Sequence, residues 1–194
     1  LSHGGHLTHG HPKVTFSGTF YKSVQYTVAK DGWLDYEVIA KLAKKFRPKI
    51  IVAGTTAYPR VLDFKKFKAV AKSVNAYLMA DISHISGLVI SAVHPSPFPD
   101  ADVVMTTTHK TLRGSRGAII IARSELIDKI NKAVFPGLQG GPHINSIAGI
   151  AVALNEAKSD NFKKYGRQIV ENARILAEEL IKNGTAYPEA AIAH

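Results

Sequence analysis

Four short runs that are apolar at nearly every position, at 49–53, 76–80, 103–106 and 118–122, constrain this chain more than any other feature. A strand with one wet face alternates polar and apolar residues, whereas a run that is apolar throughout belongs to a strand covered on both faces. Helical periodicity fills the gaps between the first runs. Asp35 is positioned to cap a helix with Val38, Ile39, Leu42, Ala43 and Phe46 as its apolar positions, ending before Pro48. Asp63 can cap a second, with Phe64, Phe67, Val70, Ala71 and Val74 on one side. Strands that alternate with helices predict an α/β fold: a mainly parallel sheet flanked by helices. The run at 118–122 follows its predecessor after a short turn, which allows an antiparallel pairing. Upstream, Val14-Thr15-Phe16 and 24–28 alternate like strands or extended edges. Ser124 is read as the cap of a helix to about residue 133, with longer helices over about 144–158 and 162–183.

In such sheets ligands bind beyond the carboxyl ends of the strands. Thr55 and Thr56 follow the first run, Asp81 and His84 the second, and Thr106 to Lys110 the third. All three groups are expected on one rim, where a carboxylate, a histidine and a lysine suit a pyridine cofactor. A lysine kept near apolar walls loses basicity and becomes an amine nucleophile, which is what a Schiff base with an aldehyde requires. Lys110 is the candidate. Asp81, directly after a buried strand, needs a partner for its charge. It can serve a ring nitrogen or cap the turn that follows.

His3, His6, His9 and His11 have a spacing that suggests a metal site, but the segment is glycine-rich and the chain has no cysteine, so no metal is expected. The pair Gly140-Gly141 permits close approach of a phosphate to backbone amides, or forms a plain turn. At 194 residues and 45% hydrophobic content the chain can bury one core. No apolar run is long enough to span a bilayer. The formal charge of +10 suits a nucleic-acid surface, an anionic ligand, or merely solvated helix faces. Lys44, Lys45, Lys65, Lys66, Lys68 and Lys72 recur at helix-surface spacing, which favours the last reading; nucleic acid is not expected as a partner.

The segment Thr106-Thr107-Thr108-His109-Lys110-Thr111-Leu112-Arg113-Gly114 resembles the pyridoxal-lysine segment of the serine (glycine) hydroxymethyltransferases. So do Leu1-Ser2-His3-Gly4-Gly5-His6-Leu7-Thr8-His9-Gly10, Gly54-Thr55-Thr56-Ala57-Tyr58-Pro59-Arg60, Ala80-Asp81-Ile82-Ser83-His84-Ile85-Ser86-Gly87-Leu88 and Val134-Phe135-Pro136-Gly137-Leu138-Gln139-Gly140-Gly141-Pro142-His143, in the family's order and spacing. The likeness runs from residue 1 to about Gly184. It implies the large domain of a fold type I pyridoxal-phosphate enzyme. Lys110 would form the Schiff base with pyridoxal 5'-phosphate, and Asp81 would keep the ring nitrogen protonated. His6 would stack on the ring, and His84 and Thr56 would lie near its phenolic oxygen. Thr107 is assigned to the cofactor with them, and Gly140 and Gly141 to the cofactor phosphate of a partner subunit. Leu1, Gly5, His6 and Leu7 match positions that contact folate, and His109 and Arg116 match positions at the amino-acid side. Gly114-Ser115-Arg116 departs from the family's usual Gly-Pro-Arg.

The implied reaction is serine plus tetrahydrofolate to glycine plus methylene-tetrahydrofolate, in a cytoplasmic homodimer or tetramer. Residues 1–184 are read as a fragment of the large domain and 185–194 as a divergent tail, so weak or no turnover is expected of the piece alone. Two other readings stay open. One is a threonine-aldolase-like enzyme of the same fold. The other is a catalytically dead remnant that dimerises or binds anions.

Overall fold

The computed structural model describes residues 3–184. Leu1 and the tail from 185 onward lie outside the described residues. Strands β1 (Ile50–Gly54), β2 (Tyr77–Asp81), β3 (Val103–Thr107) and β4 (Ala118–Ala122) form a single sheet in that order. The first three are parallel and β4 runs antiparallel to β3. The register is what matters for function. Gly54 lies opposite Asp81, and Asp81 opposite Met105, so the carboxyl ends of β1, β2 and β3 finish together.

Helix α2 (Tyr36–Phe46) starts at Asp35, whose carboxylate accepts from the amides of Glu37 and Val38. Helix α3 (Phe64–Ser73) starts at Asp63, which accepts from the Lys66 amide. Both cover one face of the sheet. Phe64, Phe67, Val70 and Ala71 of α3 and Ile39 and Ala43 of α2 pack with Ile51, Ala53, Leu78, Ala80 and Val104 of the strands. Burying each of these phenylalanines stabilises the fold by roughly 1.5–3 kcal/mol. Side chains alternate across a strand. Val52, Met79, Val103 and Met105 therefore point to the other face, where they are half-buried. Asp81 shares that face. It points away from α2 and α3.

Helices α4 (Ser86–Ile90), α6 (Ile144–Ala157) and α7 (Asp160–Lys182) meet at one corner, where Leu112, Ala157 and Phe162 form a small second core. Arg113 lies over the rings of Phe162 and Tyr165 and faces Glu156 at 3.7 Å, fastening that corner to the loop that carries Lys110. Beneath the sheet, Asp102 is buried among charges. Its carboxylate accepts from Lys68 Nζ at 2.6 and 2.7 Å, Arg123 Nε at 2.9 Å and the Leu78 amide at 2.8 Å.

Two readings of the secondary structure are corrected. Residues 14–16 are not a strand: Thr15 caps helix α1 (Phe16–Phe20), its hydroxyl accepting from the Gly18 amide. Residues 24–28 follow the other alternative, an extended edge, with one isolated bridge from Val28 to Leu34. Ser124 is the first residue of α5 (Ser124–Lys132) and not its cap, because Arg123 takes the cap position without a side-chain bond. Among the lysines read as solvated, Lys44, Lys45, Lys65, Lys66 and Lys72 are exposed, while Lys68 is held by Asp102. Among the described residues no helix is long and apolar enough to cross a membrane.

Candidate functional site

The strand ends bring together Asp81, the last residue of β2, with Ser83 and His84 just beyond it, and Thr107, the last residue of β3, with Thr108, His109 and Lys110 beyond it. Gly54 allows this closeness. A methyl group there would stand 2.5 Å from the Asp81 carbonyl oxygen and 2.8 Å from its Cβ, so only glycine lets β1 lie against this point of β2. Asp81 is buried and its two oxygens are held separately. Oδ1 accepts from the Ser83 amide at 3.0 Å and from the Ser83 hydroxyl at 2.5 Å. Oδ2 accepts from Nε2 of His9 at 2.6 Å. Burial pushes the carboxyl up, but the hydrogen bonds from His9 and Ser83 outweigh it and hold Asp81 below the ordinary carboxylate value. It is a carboxylate at neutral pH.

Lys110 donates from Nζ to Nε2 of His84 at 2.8 Å. Burial, with the nearby Lys110 and His6, lowers the His84 pKa below its ordinary 6.5. The ring is therefore neutral at pH 7 and Nε2 is free to accept. Thr111 fixes the backbone around this pair, donating to the His84 carbonyl at 3.1 Å and accepting from the Gly87 amide at 3.0 Å. The Lys110 loop is closed on itself: the Thr108 hydroxyl donates to Ser115 O at 2.6 Å and the Gly114 amide to Thr108 O at 2.6 Å.

The N-terminal loop covers the half-buried face. Gly4, at φ +90°, offers its carbonyl to the amides of Thr56 and Ala57 at 2.7 and 3.1 Å. A methyl group at Gly4 would stand 2.8 Å from the Tyr58 nitrogen. From this clip the loop carries His6 to the rim, 6.1 Å between its ring centre and that of His84, and carries His9 to Asp81. Thr8 orients His6 through its amide and hydroxyl, at 3.2 and 2.7 Å from Nδ1.

The structure thus unites His6, Asp81, His84 and Lys110, with Thr56 joined to the assembly through its amide and Gly5 half-buried beside the clip. Thr107 Oγ1, at the end of β3, and His109 Nδ1, on the loop after it, are buried without a hydrogen-bond partner, an unmet polar demand that fits a polar ligand. Leu7 is half exposed and Arg116 is exposed. Gly140 and Gly141 stand apart, exposed and with open space around them. Leu1 lies outside the described residues. The four histidines do not converge: His6 faces His84, His9 binds Asp81, and the His11 ring takes the Lys13 amide at 3.3 Å.

Two residues of the site carry little or no signal in the sequence. His9 carried only its place in a histidine-rich loop, 72 positions from its partner. Ser83 had a usable signal, because an aspartate two positions before a serine commonly folds back on that residue's amide.

The model for "Serine hydroxymethyltransferase" matches residues 1–187. A serine hydroxymethyltransferase of Desulfotalea psychrophila is 57% identical over 184 residues, covering 95% of this chain and 43% of that protein. Those of Mycoplasma mobile and Desulforapulum autotrophicum are each 54% identical over 95% of this chain and 44% of their own length. The chain spans less than half the length of these relatives. Family enzymes depend on pyridoxal phosphate and use tetrahydrofolate as cosubstrate, and the mostly parallel sheet flanked by helices is consistent with their fold type I architecture. With the match extending through nearly all of the residues described above, the chain belongs to the serine hydroxymethyltransferase family.

Proposed function

We propose that this chain carries the pyridoxal-phosphate face of a hydroxymethyltransferase site, serving the transfer from serine to tetrahydrofolate that yields glycine and methylene-tetrahydrofolate. The observation that carries the reading is the pair of anchors on adjacent strand ends, Asp81 fixed as a carboxylate and Lys110 paired with a neutral histidine. The unpaired Thr107 Oγ1 and His109 Nδ1 support it, as groups that a polar cofactor or substrate satisfies.

Bound there, pyridoxal phosphate supplies an aldehyde carbon and a ring that withdraws electrons from the α carbon of the amino acid. The residues do the rest. Asp81, ionised at neutral pH, holds a proton at the ring nitrogen by opposite charge. Lys110 supplies the amine, and its partner His84 accepts a proton from Nζ without the opposite charge with which a carboxylate would hold the ammonium. His6, carried on the clipped loop, offers a flat ring to a planar ligand. His109 and Arg116 serve the amino acid, and Gly5, His6 and Leu7, with Leu1, serve folate.

The loop at Gly140 and Gly141 is assigned to a second copy of the chain. Phe135, Leu138, Ile144 and Ile147 beside it are all exposed, and an apolar surface of that kind supports self-association.

The test is an absorption titration of the chain with pyridoxal phosphate beside Lys110→Ala. A visible band present in the parent and missing in the variant supports the reading. Identical spectra, or a band that survives the substitution, sink it.

A further inference from the structure

Ser83 is 3% exposed, and its amide and its hydroxyl both reach Asp81. Its hydroxyl accepts from the Thr107 amide of β3 at 2.9 Å. With that donor in place, its single proton is directed to Asp81 Oδ1 at 2.5 Å, because the other neighbour, the Met105 sulfur at 3.5 Å, is a poor acceptor. Amide, hydroxyl and carboxylate form one relay from β3 to the end of β2. Such chains polarise each other, and bonds that end on a charge are the strong ones.

We infer that Ser83 is a positioning residue for Asp81: its hydroxyl anchors Oδ1 to the Thr107 amide and leaves Oδ2 as the oxygen a cationic ring can share with His9. The inference rests on the reading of Asp81 as the partner of the ring nitrogen. Two features separate it from an ordinary turn. A turn at this point needs only the bond from the Ser83 amide to Oδ1, which any residue makes. The hydroxyl adds a link to the strand that leads to Lys110, so the two anchors of the cofactor are set relative to each other through Ser83. The lowered basicity of Asp81 agrees with this second donor.

The experiment uses the whole chain and three readouts. The first is the carbon-13 titration of the Asp81 carboxyl without cofactor, in the parent, Ser83→Ala and Ser83→Thr. Alanine keeps the turn amide and removes the relay, so the midpoint rises by about one unit, while threonine stays near the parent. The second is the dissociation constant for pyridoxal phosphate, expected to rise about tenfold in Ser83→Ala and to recover in Ser83→Thr. The third is the melting temperature, which checks that each variant is folded. If Ser83→Ala does not fold, Ser83→Cys, a weaker donor, carries the same test with a smaller rise. An unmoved midpoint overturns the inference. So does a raised midpoint with unchanged affinity in a chain whose parent shows the Lys110-dependent band. A parent with no such band overturns the underlying reading instead, and the carboxyl titration then shows whether the relay itself exists.

Discussion

Lys110 Nζ donates to His84 Nε2 across 2.8 Å, so the lysine's partner is a base that must stay neutral to accept. The His84 pKa is lowered from 6.5, first by burial and then by Lys110 and His6. Below 6.5 the unfolded chain therefore binds more protons at this histidine than the folded chain does. Its contribution to stability is complete above that value and falls as the pH drops through it toward the folded value. Melting temperatures recorded from pH 7.5 to 5.5 will fall more steeply for the parent than for His84→Asn, which keeps an acceptor and cannot titrate. Parallel curves would show that His84 is not depressed.

Gly54→Ala tests the close approach of β1 to β2. The added methyl meets backbone 2.5 Å away, and relief requires the strands to part. Urea unfolding should show a loss of about 1–3 kcal/mol. Because Asp81 lies directly opposite, affinity for pyridoxal phosphate should fall with it.

Asp102→Ala leaves Lys68 and the Leu78 amide without their buried partner, far from the rim. The expected loss is about 3 kcal/mol, at the low end for a broken buried pair because Arg123 is nearly half exposed and recovers water. Asp102→Asn keeps an acceptor for Leu78 and should lose less. The Lys110-dependent spectrum should remain in both wherever the chain is folded.

Leu138→Glu with Ile144→Glu probes the exposed apolar stretch. Both side chains are 72% exposed, so the folded chain should lose no more than about 0.5 kcal/mol. Sedimentation should nevertheless shift toward the monomer. Unchanged mass in a parent that self-associates would put the interface elsewhere.

The sheet is readable because the runs 49–53, 76–80, 103–106 and 118–122 are apolar at nearly every position, and the helices between them announce themselves with Asp35 and Asp63. The misread stretch at 14–16 is three residues long, too short for a period of two to mean anything. There the Thr15 hydroxyl decides for a helix. At the rim, the rule that ligands sit beyond strand ends selected Asp81, His84 and Lys110 from position alone. The partners of Asp81 were less visible. Ser83 is local, while His9 depends on a loop folding back over the sheet, a tertiary event with no periodic signature. Lys68 was read as one more surface lysine, since nothing near it in sequence reveals the carboxylate of Asp102, 34 positions on.

The Gly4 carbonyl takes the amides of both Thr56 and Ala57, so the loop that bears His6 and His9 is held at this point by backbone alone. At this clip its docking is therefore written in two peptide protons. Hydrogen exchange at Thr56 and Ala57 should slow or quicken together, and that shared rate would time the arrival of the two histidines over the rim.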